Sequence, residues 1–208
     1  CLGKTGKDVD PTQLWKLRCG DTRVFEKRIE GKKQDTSLLI LLDNSISMQN
    51  RIGIVMDAGL AIALAMESIP GISTCVAAFP YQTKESRDDV LLVSDFGEPL
   101  RRTAERFPAV VVQGTTPMAE ALLWSSYHIL QTRQQRKIIC VVTDGQPDNL
   151  AATEQVIETL GVAGVEVMAL GINTVVNQLF ETSETICNVQ DVGPALFHML
   201  QEKLAKAA

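Results

Sequence analysis

The chain has 208 residues, 45 % hydrophobic and 22 % charged, which is enough apolar material for one α/β domain with a sizeable core. Aromatics make up 5 % and the net charge is −5, so neither stacking residues nor a basic surface is on offer for nucleic acid. No apolar run approaches the ~20 residues that cross a bilayer, and the N-terminal stretch has no secretory h-region, so no membrane role is expected.

Residues 1–35 are rich in Lys, Arg, Asp and Gly around one apolar island, Leu14, Trp15 and Leu17. They read as a partly ordered arm docking through Trp15, in a chain whose start at Cys1 reads as a fragment of a longer protein. Gly3-Lys4-Thr5 lacks the upstream half of a phosphate loop, and Gly6 and Pro11 follow where a helix is needed. From residue 36 to 208 the pattern is that of a single domain. Leu38–Leu42 is an unbroken apolar run ending in Asp43, as in a strand buried on both faces. Arg51–Ser68 carries Ile52, Val55, Gly59, Ile62 and Met66 at helical spacing and stops before Pro70.

Ser73–Phe79 is a second strand, Asp89–Ser94 a shorter and more polar edge strand, and Leu100–Phe107 a short helix. Thr116 as N-cap and Pro117 at the first position introduce a helix over Met118–Thr132. Ile138–Val142 is again apolar and leads to Asp144; a helix over Leu150–Leu160 and a strand over Val165–Leu170 follow. A short strand near Ile186 and a helix over Val192–Lys203 complete the set. Alternating strands and helices predict an α/β doubly wound sheet, mainly parallel, with helices on both faces.

The five cysteines, Cys1, Cys19, Cys75, Cys140 and Cys187, form no CxxC pair. Cys75 and Cys140 fall inside apolar strands as small core residues, and a reducing, cytoplasmic location is the simpler expectation. His128 and His198 lie within helices and read as surface or packing residues, not as parts of a triad.

Open α/β sheets bind ligands beyond the carboxyl ends of their strands. The most unusual polar residues fall there: Asp43-Asn44-Ser45-Ile46-Ser47-Met48, Gly114-Thr115-Thr116-Pro117-Met118, and Thr143-Asp144-Gly145-Gln146-Pro147-Asp148. These are hard oxygen donors with almost nothing basic among them, the ligands that suit Mg²⁺, Mn²⁺ or Ca²⁺. In an extended loop alternate residues point the same way, so Asp43, Ser45 and Ser47 converge on one ion. Two serines, one threonine and two aspartates, some acting through water, leave a coordination position for an external anion. Met48 is expected under the loop, Thr115 turned away, and Asp148 as a cap of the next helix.

Asp43-x-Ser45-x-Ser47, Thr116 before Pro117, and Asp144-Gly145 resemble the three parts of the metal-ion-dependent adhesion site of von Willebrand A domains, over roughly Ser37 to Lys203. The resemblance implies a Rossmann-like sheet with one antiparallel edge strand, and a bound Mg²⁺. Ser45 and Ser47 would coordinate directly, Thr116 directly or through water, and Asp43 and Asp144 largely through water. A partner's Asp or Glu would complete the shell, with movement of the final helix as the switch. Asn44 and Ile46 stand at spacer positions that the family commonly fills with glycine.

The stretch Gly20–Met48, the run Gly114–Leu122 and Thr143–Pro147 further resemble the C-terminal domain of cobaltochelatase-type subunits and the related nitric-oxide-reductase activators. That resemblance implies a partner ring of the MoxR or chelatase AAA+ ATPase kind and no catalysis by this chain itself. Two rivals stand beside it: a Mg²⁺-dependent phosphohydrolase with Asp43 as nucleophile, and a structural subunit with a vestigial site. The first wants a carboxylate at position 45 and a nearby Lys, where the chain has Ser45 and, further on, Arg51.

Overall fold

The unbroken apolar runs become the interior strands of one sheet, because a segment apolar at every position must cover both of its faces. The computed structural model describes residues 2–3, 25–26, 35–81, 90–109 and 112–205. Two units divide the chain, Cys1–Lys33 with Ala208, and Gln34–Ala207. In the first, β1 (Leu2–Gly3) pairs antiparallel with β2 (Phe25–Glu26). Trp15 and the proposed docking of the arm lie outside the described residues.

The second unit carries six strands: β3 (Thr36–Asp43), β4 (Ile72–Phe79), β5 (Leu91–Ser94), β6 (Arg136–Thr143), β7 (Val165–Ile172) and β8 (Thr182–Ile186). Their order is β5-β4-β3-β6-β7-β8, parallel throughout except for β5, which runs antiparallel to β4 at the edge. The helices are α1 (Ile52–Glu67), α2 (Leu100–Thr103), α3 (Met118–Leu130), α4 (Leu150–Val162) and α5 (Val192–Ala205).

All eight residues of β3 are buried. Leu38, Ile40 and Leu42 face one layer with Val55, Ile62 and Met66 of α1 and Leu196 and Leu200 of α5. Leu39 and Leu41 face the other, with Met118, Leu122 and Ile129 of α3 and Leu160 of α4. Each such fully buried aliphatic side chain contributes about 1.5–3 kcal/mol relative to exposure. This is the doubly wound, mainly parallel sheet that the alternation of strands and helices predicts, with the one antiparallel edge strand that the resemblance implies.

Three local expectations change. The short helix after Leu100 is one α-turn that tightens to a 3₁₀ segment over Ala104–Ala109, where Pro108 has no N–H to donate an α-type bond back to Ala104. Helix α3 begins at Met118 with Pro117 as its cap residue and no side-chain cap bond, so Thr116 is not the N-cap. Thr116 instead bridges to the next loop, its N–H donating to Asp148 Oδ1 at 3.1 Å and its carbonyl accepting from Asp148 N at 3.0 Å. Helix α4 is capped by Asn149, whose Oδ1 accepts from Ala152 N at 3.0 Å, so Asp148 is not the cap either.

Candidate metal centre

Strand order turns back between β3 and β6: the chain leaves β3 for α1 on one face and leaves β6 for α4 on the other. The loops beyond these two strand ends therefore diverge and leave a crevice. The Asp43–Met48 loop turns at once into a short 3₁₀ segment, Ile46–Met48, with Met48 fully buried beneath it as expected. Backbone bonds tie it to its neighbours: Asn44 N donates to the Phe79 carbonyl at 2.6 Å, Gln113 N to the Asn44 carbonyl at 3.1 Å, and Ile46 N to the Gly114 carbonyl at 3.3 Å. Gly114 has φ +67°, a left-handed turn that a side chain resists, and a Cβ there would lie 3.1 Å from Pro80 Cγ.

In the crevice two hydroxyls and one carboxylate form a chain. Ser45 Oγ lies 3.0 Å from Ser47 Oγ, and Ser47 Oγ donates to Asp144 Oδ1 at 2.5 Å. Thr116 Oγ1 joins them across Gly145: a Cβ at position 145 would sit 3.4 Å from Thr116 Oγ1 and 3.9 Å from Ser47 Oγ. Glycine there keeps open the space between those hydroxyls. Asp43, Ser45 and Thr116 are buried, Ser47 is exposed, and the Asp144 side chain is 1 % exposed. All five residues singled out in the sequence thus gather around one crevice.

Asp43 is already fully engaged. Its Oδ1 accepts from Ser45 N at 2.8 Å and its Oδ2 from Thr143 Oγ1 at 2.5 Å, while Thr143 Oγ1 accepts from Gly145 N at 3.1 Å. Burial pushes its carboxyl above the usual 3.8, and the charge of Asp144 adds to that; bonds from Thr143 and Ser45 oppose it. A divalent cation nearby would offset the desolvation. The donors are hard oxygens only, a set that fits Mg²⁺.

Two neighbours were not legible in the sequence. Arg51, at the start of α1, places Nη1 2.5 Å from Asp144 Oδ2, so the site is not free of basic groups as its loops imply. Asp148 holds both threonines, accepting from Thr115 Oγ1 and from Thr116 N, so Thr115 turns toward Asp148 as its brace.

No family model matches this sequence, and no curated protein matches it. Solved structures do match in fold. The pilus adhesin SpaC from Lactobacillus rhamnosus GG superposes with a TM-score of 0.70 at 15 % identity, over 84 % of this chain and 31 % of that one. The SpRpn10 VWA domain gives 0.61 at 10 % identity, over 76 % of this chain and 93 % of its own. The vWF domain of the type V pili tip protein Mfa5 from Porphyromonas gingivalis gives 0.66 at 9 % identity, over 84 % and 97 %. The fold is therefore that of a von Willebrand A-type domain, and the chain spans about a third of the length of the adhesin it matches. Among the described residues no helix is long and apolar enough to cross a membrane.

Proposed function

We propose that this domain is a cation-dependent protein-binding module in which Ser45, Ser47 and Thr116 hold one Mg²⁺ directly, with Asp43 and Asp144 acting through water. The observation that carries the reading is the continuous chain from Ser45 Oγ through Ser47 Oγ to Asp144 Oδ1, at the crevice where strand order turns back. When bound, the ion supplies a positive centre for an external carboxylate. Two aspartates balance its charge and Arg51 adds a positive one beside Asp144, so an Asp or Glu of a partner is electrostatically welcome. Ile46, 61 % exposed in the ligand loop, offers that partner apolar contact.

The partner class we propose is an AAA+ ATPase of the chelatase or MoxR kind, with this chain as its non-catalytic subunit in metal insertion or protein activation in a bacterial cytoplasm. Support comes from the Gly114–Leu122 run and the free thiols of Cys75, Cys140 and Cys187. The burial of Asp43, with both oxygens hydrogen-bonded, argues against its use as a phosphohydrolase nucleophile.

The test is a Mn²⁺ titration followed by electron paramagnetic resonance, with Mg²⁺ as competitor. One saturable site is expected, displaced by Mg²⁺ and lost in Ser45→Ala/Ser47→Ala while circular dichroism stays unchanged. Absence of saturable binding, with acetate supplied as a stand-in for the partner, would leave the structural-subunit reading in its place.

A further inference from the structure

A second group of ligand atoms lies at the other end of the sheet. Cys75 sits in the first half of β4, and Asp95 follows β5, whose antiparallel course brings its end back beside Val76. His128 stands ten residues beyond Met118 in α3, about 15 Å along the helix from the crevice. The sequence gives these three residues no spacing that links them. The fold nevertheless brings one ligand atom from each within 4.8 Å of the others.

The pocket is a polar island in an apolar layer. Cys75 packs in the face that includes Leu92, Phe96 and Trp124, yet its sulfur lies beside a carboxylate and an imidazole. His128 Nε2 is 3.0 Å from Asp95 Oδ1, and its ring stacks on Trp124 with centroids 4.7 Å apart and planes at 13°. Phe96 N donates to Asp95 Oδ1 at 2.7 Å. Two of the three ligands are thereby aimed before anything binds. Ser94, one residue before Asp95, is fully buried with no hydrogen-bond partner for its hydroxyl. A cavity of about 380 Å³, lined by Ser73, Asp95, His128 and Arg133, gives solvent a way in.

The geometry points to a transition-metal site for Zn²⁺ formed by Cys75 Sγ, His128 Nε2 and a carboxylate oxygen of Asp95, with the fourth position open to the cavity. Thiolate, imidazole and carboxylate together are the donors zinc takes, and a thiol is foreign to the Mg²⁺ class of the crevice. Tetrahedral zinc with bonds of about 2.0–2.3 Å wants its donors about 3.3–3.8 Å apart, which shifts of about 1 Å provide. On binding, the Cys75 proton leaves to solvent, and His128 coordinates as neutral imidazole with its proton on Nδ1. Burial, and the charge of Asp95 after it, hold the free Cys75 thiol protonated; this disfavours a nucleophilic cysteine and is reversed by a divalent ion. The bound ion would pin the edge strand β5 to α3.

The test is a Co²⁺ titration of the reduced, metal-stripped full chain in excess Mg²⁺, which keeps Co²⁺ from the oxygen site. One Co²⁺ per chain is expected, with an intense thiolate-to-cobalt charge-transfer band and tetrahedral d–d absorption, bleached by one equivalent of Zn²⁺. The band should vanish in Cys75→Ser and in His128→Gln, a half-buried position whose replacement spares the core. It should persist in Ser45→Ala/Ser47→Ala and in Cys187→Ser. A wild type without the band would overturn the site and leave a plain His128–Asp95 pair. So would a band that survives His128→Gln, or one that disappears with Cys187→Ser.

Discussion

Asp144 serves two neighbours at once, Ser47 on one oxygen and Arg51 on the other. A cation entering beside it meets the guanidinium as a like charge, so Arg51→Ala should tighten Mn²⁺ binding. The pair is partly exposed and worth up to about 1 kcal/mol, so a gain of about fivefold is expected in the resonance titration. Asp148 works in the opposite sense. It touches no ion in the proposed site but fixes Thr116 through its backbone N–H and Thr115 through its hydroxyl. Asp148→Ala should weaken divalent binding roughly 10–100-fold, the usual cost of losing a group that orients a metal ligand, with the melting temperature little changed. Neither residue announces itself in sequence. Arg51 reads as a helix start and Asp148 as a helix cap, because their roles depend on loops that meet only in the fold.

Between elements, one polar network ties the sheet to its last helix. Arg136 of β6 grips Glu166 of β7 by Nε at 2.5 Å and Nη2 at 3.0 Å, donates to the Lys203 carbonyl of α5 at 2.8 Å, and Lys203 Nζ lies 3.2 Å from Glu166. The bond from Arg136, ahead of its charge and of Lys203, holds the Glu166 carboxyl below its ordinary 4.5 despite the cost of burial. A carboxylate depressed on folding stabilises the fold above its unfolded value and loses that contribution as pH falls through the folded one. Glu166→Gln should therefore be less stable than wild type at neutral pH, and the two denaturation midpoints should converge as pH drops below about 4. A gap that stays constant down to that range would show that packing, not charge, sets the role of position 166. The elements themselves were largely readable. The apolar runs of β3 and β6 and the spacing in α1 mark them, while the start of α3 and the 3₁₀ turn after α2 answered to contacts and a proline that local pattern underweights.

For the molecule as a whole, the proposed crevice joins loops from β3, from before α3 and from β6, so an ion held there links three segments distant in sequence. Binding to the folded state alone adds about 2.7 kcal/mol when Mg²⁺ stands at 100 times its dissociation constant. In a chain of this size that is a rise of about 5–10 °C in Tm, expected in wild type and absent in Ser45→Ala/Ser47→Ala. The sequence alone determined the fold class, because binary patterning is a local property, and it pointed to Asp43, Ser45 and Ser47 by their spacing and to Thr116 and Asp144 by their loops beyond strand ends and the family resemblance. Only the tertiary structure decided that Arg51 and Asp148 belong to the crevice and that Cys75, Asp95 and His128 stand together. Those groupings come from strand order and from an antiparallel edge, which bring residues 20 to 93 positions apart together and leave no periodic trace in the chain.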